Sequence, residues 1–203
     1  GIRKQFLASL DKSITVVEAS FSGDTVASFA SQIATLKDCK FIFMPIYYTP
    51  ASQFMTEAKN DIAKDAVYYG CDGLDGIDTA VQGFDISTIP QEVSFLSHFN
   101  SKSTEGASGE FIKKYTEKFG ADSLSQFGAA AYDCVYAIYG AMKEAGDKIS
   151  VTSSPSDICN ALKDVFNGGY TYSGVTGTNI KWTAEGFVSK TALKYIVKES
   201  DAK

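Results

Sequence analysis

Apolar and polar positions alternate along the chain between a three-to-four-residue and a two-residue rhythm. Ile2 to Leu10 places Ile2, Phe6, Leu7 and Leu10 at helical spacing, and Ile14 to Phe21 reads as a strand. Val26, Phe29, Ala30, Ile33 and Leu36 repeat the helical pattern, with Asp24 or Thr25 as N-cap candidates. Phe41 to Tyr48 (FIFMPIYY) predicts a buried strand. Ser52 or Thr49 then opens a helix through Phe54, Met55, Ala58 and Ile62, followed by a short strand from Ala66 to Tyr69 and a short helix from Asp75 to Val81. Glu92 to His98 closes the series as a strand. Helices and strands in strict alternation, joined by short connections, predict an α/β fold with a doubly wound parallel sheet.

The pattern changes at Asn100 to Gly109, where NSKSTEGASG reads as a surface linker. Helices follow at Glu110 to Phe119, Ser125 to Ala145 and Ser156 to Phe166, the last with Ser154 or Ser156 as cap and Pro155 near its first turn. The tail offers Gly174 to Trp182, a turn at Ala184 to Gly186 and a strand from Ala192 to Val197. The middle helix carries Phe127, Ala130, Ala131, Cys134, Val135, Ile138 and Met142 as a broad apolar face that needs a sheet to lie on. Residues 100 to 190 supply no such sheet. The chain alone is therefore expected to self-associate, to exchange elements between copies, or to expose a hydrophobic patch. The series Tyr132, Tyr136 and Tyr139 is expected to pack between helix and sheet.

Composition narrows the function. A net charge of −5, from 19 basic and 24 acidic residues with no run of Lys or Arg, excludes a nucleic-acid or anionic-membrane surface. A small neutral or zwitterionic partner fits better. No stretch approaches the roughly 18 apolar residues of a membrane span. The chain opens at Gly1 without a signal sequence, so any targeting segment is expected to have been removed. Cys39, Cys71, Cys134 and Cys159 form no CxxC pair and read as buried reduced thiols rather than zinc ligands. One histidine, His98, and no GxSxG elbow leave a hydrolytic triad without support, and GLDG and GVTGT are not phosphate loops. No metal or cofactor is implied.

Chemistry concentrates where the two apolar runs stop. FIFMPIYY ends on Tyr47 and Tyr48, and YYGCDGLDG carries Asp72 and Asp75. The carboxyl edge of a parallel sheet is where open α/β folds hold ligands. A phenol there can pack an aliphatic chain while its hydroxyl bonds a polar group. Tyr48 is expected on the opposite side of a continuing strand, and Asp75 as a helix N-cap. Asp72 has two readings, a cleft carboxylate or a cap of the helix after Gly73. An enzyme using Asp72 and Asp75 as acid and base, or as Mg²⁺ ligands, lacks a nearby Lys or further acidic partner.

The runs FIFMPIYYTPASQFMTEAK, YYGCDGLDG, EFIKKYTEKFG, QFGAAAYDCVYAIYGAMKEAG, GVTGTNIKWTAEGF and ALKYIVKE, taken in order and spacing, resemble the carboxyl-terminal part of a type I periplasmic binding protein of the leucine/isoleucine/valine-binding family. The resemblance implies two lobes joined by crossing strands around a small ligand. Residues 1–99 and 191–203 would form the second lobe, and 100–190 the later part of an incomplete first lobe, whose amino-terminal portion has no counterpart here. It further implies a non-enzymatic, extracytoplasmic solute-binding component of an ABC importer, handing an amino acid, branched-chain or otherwise aliphatic, to a membrane permease. A sensory receptor ectodomain shares the same fold. In the family, the position of Tyr47 lines the cleft and that of Asp72 receives the ligand's ammonium group; Tyr48 and Asp75 are the further candidates. His98 and Trp182 would be structural residues near the hinge.

Overall fold

The computed structural model describes residues 2–23 and 26–197. Its elements in order are helices α1 (Ile2–Ser9) and α2 (Ala30–Leu36), strand β1 (Phe41–Met44), helix α3 (Tyr48–Ala58), strands β2 (Val67–Gly70) and β3 (Glu92–Ser97), helices α4 (Gly106–Phe119), α5 (Gln126–Ala145) and α6 (Pro155–Asn167), and strands β4 (Lys181–Trp182), β5 (Val188–Ser189) and β6 (Leu193–Ile196). The chain divides into two compact units, Gly1–Ser97 with Lys194–Lys203, and His98–Leu193.

The first unit is built on a four-stranded sheet of order β1-β2-β3-β6, in which β1, β2 and β3 run parallel. Side chains alternate across a pleated sheet, so Ile42, Tyr68 and Val93, level with one another, share one face with Met44 and Phe95. All five are buried, in one cluster with Phe29 and Ile33 of the α2 region and Phe54, Met55 and Ala58 of α3. Each large apolar side chain buried there contributes roughly 1.5–3 kcal/mol. On the opposite face, Phe6 of α1 stacks on Phe43 with ring centroids 4.4 Å apart. Helices on both faces of a parallel sheet make the unit doubly wound.

Three expectations for this unit need correction. Ile14 to Phe21 forms no strand: Ile14, Val16 and Val17 are exposed, and the segment is held by the Arg3–Glu18 ion pair and a Gln32 side-chain bond to the Ser20 carbonyl. Its β-branched composition favours extended backbone, but a strand needs a ladder partner, and β-propensity without one decides little. The Asp75–Val81 helix is replaced by turns after a 3₁₀ turn at Asp72–Leu74. β1 stops at Met44, four residues before Tyr48, because Pro45 interrupts the run. The Asp24/Thr25 cap candidates lie outside the described residues. The α2 end is served instead from α3, where the Glu57 carboxylate accepts from the Phe29 N–H at 2.7 Å and the Ser28 hydroxyl at 3.0 Å.

The second unit packs α4, α5 and α6 with the β4–β5 hairpin. Of the two cap candidates for α6, Ser154 is the one used: its Oγ accepts from the Asp157 N–H, with Pro155 in the first turn; α5 is capped as well, Ser125 Oγ accepting from the Gly128 N–H. α4 begins at Gly106, four residues inside the expected linker. The buried face of α5 is a stripe of small residues at spacing four, Ala129, Ala137, Ala141 and Ala145, interrupted by Asp133. Their small size lets α5 lie close to α6, where Ala161 and Val165 complete the cluster. The large apolar residues lie on the other side, so Tyr132, Tyr136 and Tyr139 are exposed rather than packed on a sheet. Cys134 and Cys159 are likewise exposed, against the expectation of buried thiols, while Cys39 and Cys71 are half-buried. Trp182 packs on Phe166 and Tyr170, a structural role. His98 Nδ1 lies 3.2 Å from the Thr191 carbonyl, so the ring nitrogen donates and ties the two ends of this unit together.

Candidate binding site

Tyr47 and Asp72 lie beyond the carboxyl ends of neighbouring strands, and the parallel register brings those ends level. Met44 at the end of β1 pairs with Gly70 at the end of β2. The chain leaves β1 through Pro45 and Ile46, reaches Tyr47, and starts α3 at Tyr48. It leaves β2 through Cys71 and turns at once into the 3₁₀ turn of Asp72–Leu74. The two connections touch: a Cβ built on Gly73 would lie 2.7 Å from the Ile46 carbonyl oxygen and 3.5 Å from the Tyr47 Cα. Only glycine lets the turn carrying Asp72 nest against the backbone that carries Tyr47. Leu74 and Ile77, both fully buried, fasten the turn from below.

The ring of Tyr47 is 68% exposed, and Asp72 is exposed as well. Burial pushes the Cys71 thiol up, and the Asp72 carboxylate beside it pushes it further. Both candidate side chains are thus exposed on connections that leave the same sheet edge. Such a pair can pack an aliphatic side chain and accept charge-assisted hydrogen bonds from an ammonium group.

The other two expected residues sit differently. Tyr48 is the first residue of α3, not a residue of a continuing strand, and its half-buried ring packs on the core cluster. The alternation argument fails for it because helical backbone, not pleated backbone, sets its direction. Asp75 caps no following helix; it ends the 3₁₀ turn, and its N–H donates to the Asp72 carbonyl at 3.1 Å. It braces the backbone that carries Asp72. No group of three or more His, Cys, Asp or Glu residues among the described ones is placed to hold a metal ion, so the Mg²⁺ reading of Asp72 and Asp75 gains no further ligand.

A surface concavity of about 410 Å³ lies elsewhere, between α2 and α3, lined by Ala30, Ile33, Ala34, Lys37, Glu57 and Asp61. Most of its lining is exposed, and of its charged residues Glu57 is already engaged by Ser28, the Phe29 N–H and Gln53, so the sheet edge is the better candidate.

Sequence reasoning missed Asp133. It is 4% exposed, and its carboxylate accepts from the Val175 and Thr176 N–H groups at 2.9 and 2.7 Å and from the Tyr172 and Thr176 hydroxyls. It fastens the 172–177 loop to α5. The legible signal was its place in the alanine stripe, four residues after Ala129 and four before Ala137.

No protein-family model matches the chain. No curated protein matches its sequence either. Solved structures do. A leucine-binding protein, LivK, from Thermotoga maritima superimposes on 90% of this chain with a TM-score of 0.69 at 18% identity, over 49% of its own length. The branched-chain amino-acid substrate-binding protein LivJ from Streptococcus pneumoniae, in complex with isoleucine, matches 97% of this chain with a TM-score of 0.70 at 22% identity, over 54% of its length. An ABC transporter substrate-binding protein from Desulfitobacterium hafniense in complex with leucine covers 86% of the chain at a TM-score of 0.59 and 12% identity. The chain spans about half the length of the solved structures it matches. The shared feature is the fold, that of type I periplasmic binding proteins.

Proposed function

We propose that this chain carries one jaw of an amino-acid-binding site, in a solute-binding component of an ABC importer that delivers a branched-chain or other aliphatic amino acid to a membrane permease outside the cytoplasm. Tyr47 packs the ligand's side chain and Asp72 receives its ammonium group, with Tyr48 and Asp75 holding the two loops from behind. In this reading residues 1–99 and 191–203 form one lobe and residues 100–190 belong to the other. The ligand is gripped and released without bond making or breaking, and its differential affinity for the closed arrangement drives closure. No described helix is long and apolar enough to cross a membrane, which suits a component that meets its permease by docking.

The observation that supports the reading is the contact at Gly73, which brings the backbone of the Asp72 turn against that of Ile46 and Tyr47 beyond the carboxyl ends of β1 and β2. Nuclear magnetic resonance titration of the chain with leucine, isoleucine and valine tests it, because millimolar binding suffices for detection. Chemical-shift changes should centre on residues 45–48 and 71–75 and weaken at least tenfold in concentration dependence for Asp72→Asn. N-acetyl-leucine, which lacks the ammonium, should not reproduce them. Equal response to N-acetyl-leucine, or changes centred away from these loops, refutes the assignment.

A further inference from the structure

We propose that the buried Asp133 carboxylate yokes the two chain crossings that join the second unit to the first, so that the crossings loosen together and not singly. The chain passes between the units at Ser97/His98 and again at Leu193/Lys194. Any displacement of one unit is carried by these two crossings, whatever the sheet edge of the first unit binds. On the second unit's side the entry is His98–Phe99 and the exit is Lys190–Thr191, and both are fastened inside that unit.

The exit is held by a chain of hydrogen bonds that can run in one direction only. Lys190 Nζ lies 2.6 Å from Thr176 Oγ1, and the same hydroxyl lies against the Asp133 carboxylate. An ammonium only donates and a carboxylate only accepts, so the Thr176 hydroxyl accepts from Lys190 and gives its one hydrogen to Asp133. Bonds aligned in this way polarise and strengthen one another. The chain also brings a cation within one hydroxyl of a carboxylate that is 4% exposed, where an uncompensated charge is costly.

The entry is held to the same place by packing. Phe99, itself buried, shares one cluster with Val175, Phe111 and Ala129, and its ring meets that of Phe111 edge-on at 6.0 Å. The Val175 N–H is one of the donors to Asp133, and the Ser108 hydroxyl of α4 donates to the Val175 carbonyl at 2.7 Å. Entry and exit also meet directly, because His98 Nδ1 donates to the Thr191 carbonyl at 3.2 Å across 93 residues of sequence. Drawing the exit away breaks the His98 bond along with the Lys190 bond, and drawing the entry away pulls Phe99 off Val175. Each movement opens the clasp on which the other depends, and a coupling of this kind is reciprocal.

Amide hydrogen exchange of the 203-residue chain, read by nuclear magnetic resonance at Val175 and Thr176, tests the yoke. Both N–H groups are bonded to Asp133, whereas His98 is bonded to Thr191, so an effect of His98 on them is a transmitted one. Lys190→Met removes the ammonium and keeps the aliphatic stem; His98→Ala removes the bond to Thr191. Each should speed exchange at both reporters at least tenfold, while amides in the interior of α6 change less than twofold. In the double variant the two factors should not multiply, since each substitution releases the same opening. His98→Phe, which keeps a ring and loses the donor, takes the place of His98→Ala if that variant does not fold. Reporters indifferent to the loss of His98, factors that multiply, or equal acceleration throughout α6, which would mean a general loosening of the unit, each overturn the proposal.

Discussion

Removing the Asp133 carboxylate should unfasten the 172–177 loop from α5, and the structure sets the size of the effect. Four donors converge on its two oxygens, two of them backbone N–H groups of Val175 and Thr176, residues only 5 and 3% exposed. A buried donor left without its acceptor costs about 1–3 kcal/mol. Asp133→Ala strands both N–H groups, and it strips the Thr176 hydroxyl, which also accepts from Lys190 Nζ at 2.6 Å, of its own acceptor. The expected loss is about 3–5 kcal/mol. Asp133→Asn keeps one carbonyl oxygen but turns an amide NH₂ towards donors that need an acceptor, so about 2–3 kcal/mol is expected. Urea unfolding followed by the fluorescence of Trp182, the chain's single tryptophan, reads the unit that contains the loop. A loss below about 1 kcal/mol for Asp133→Ala at unchanged urea slope would mean that water replaces the carboxylate at no cost, and the clasp would be refuted.

Two other perturbations test the first unit. Burial works to raise the Glu57 carboxyl, but hydrogen bonds from Gln53, the Phe29 N–H and Ser28 outweigh it and hold the group below the ordinary glutamate range. A depressed folded value means that the stabilisation is fully present at neutral pH and is lost as pH falls through that range, so acid unfolding of Glu57→Gln should show a shallower pH slope than the parent; equal slopes would remove Glu57 as a source. The Tyr68 hydroxyl is buried without a hydrogen-bond partner among the described residues, and the burial pushes its ionisation far up. Tyr68→Phe should therefore be neutral or stabilising by up to about 1–2 kcal/mol in thermal unfolding, and a clear loss would reveal a partner for that hydroxyl.

The buried runs of β1, β2 and β3 and the capped helices α5 and α6 were legible because each carries its own local reason to form: continuous apolar residues, or Ser and Pro at a helix start. Ile14 to Phe21 was misread since its composition is strand-like while the decision lies with a neighbour that the ladder does not supply. Tyr48 was misread because Pro45 ends the pleat on which an alternation argument depends. The level placement of Tyr47 and Asp72 was legible from two strands ending in similar clusters. The contact between the two connections was not, because it depends on Gly73 passing the Ile46 carbonyl, far away in sequence. Asp133 escaped notice because a helical pattern read for large apolar residues overlooks a face made of alanines.

The close passage of Gly73 over Ile46 has a mechanical meaning. With no side chain to act as a spacer, the two connections interlock, so a push on the phenol's loop is passed to the carboxylate's loop through main-chain atoms rather than through flexible side groups. Whatever settles against one therefore senses the stiffness of both, and the pair behaves as a single preset tooth instead of two independent fingers. A bulkier residue at this point would split that tooth while leaving each half chemically whole.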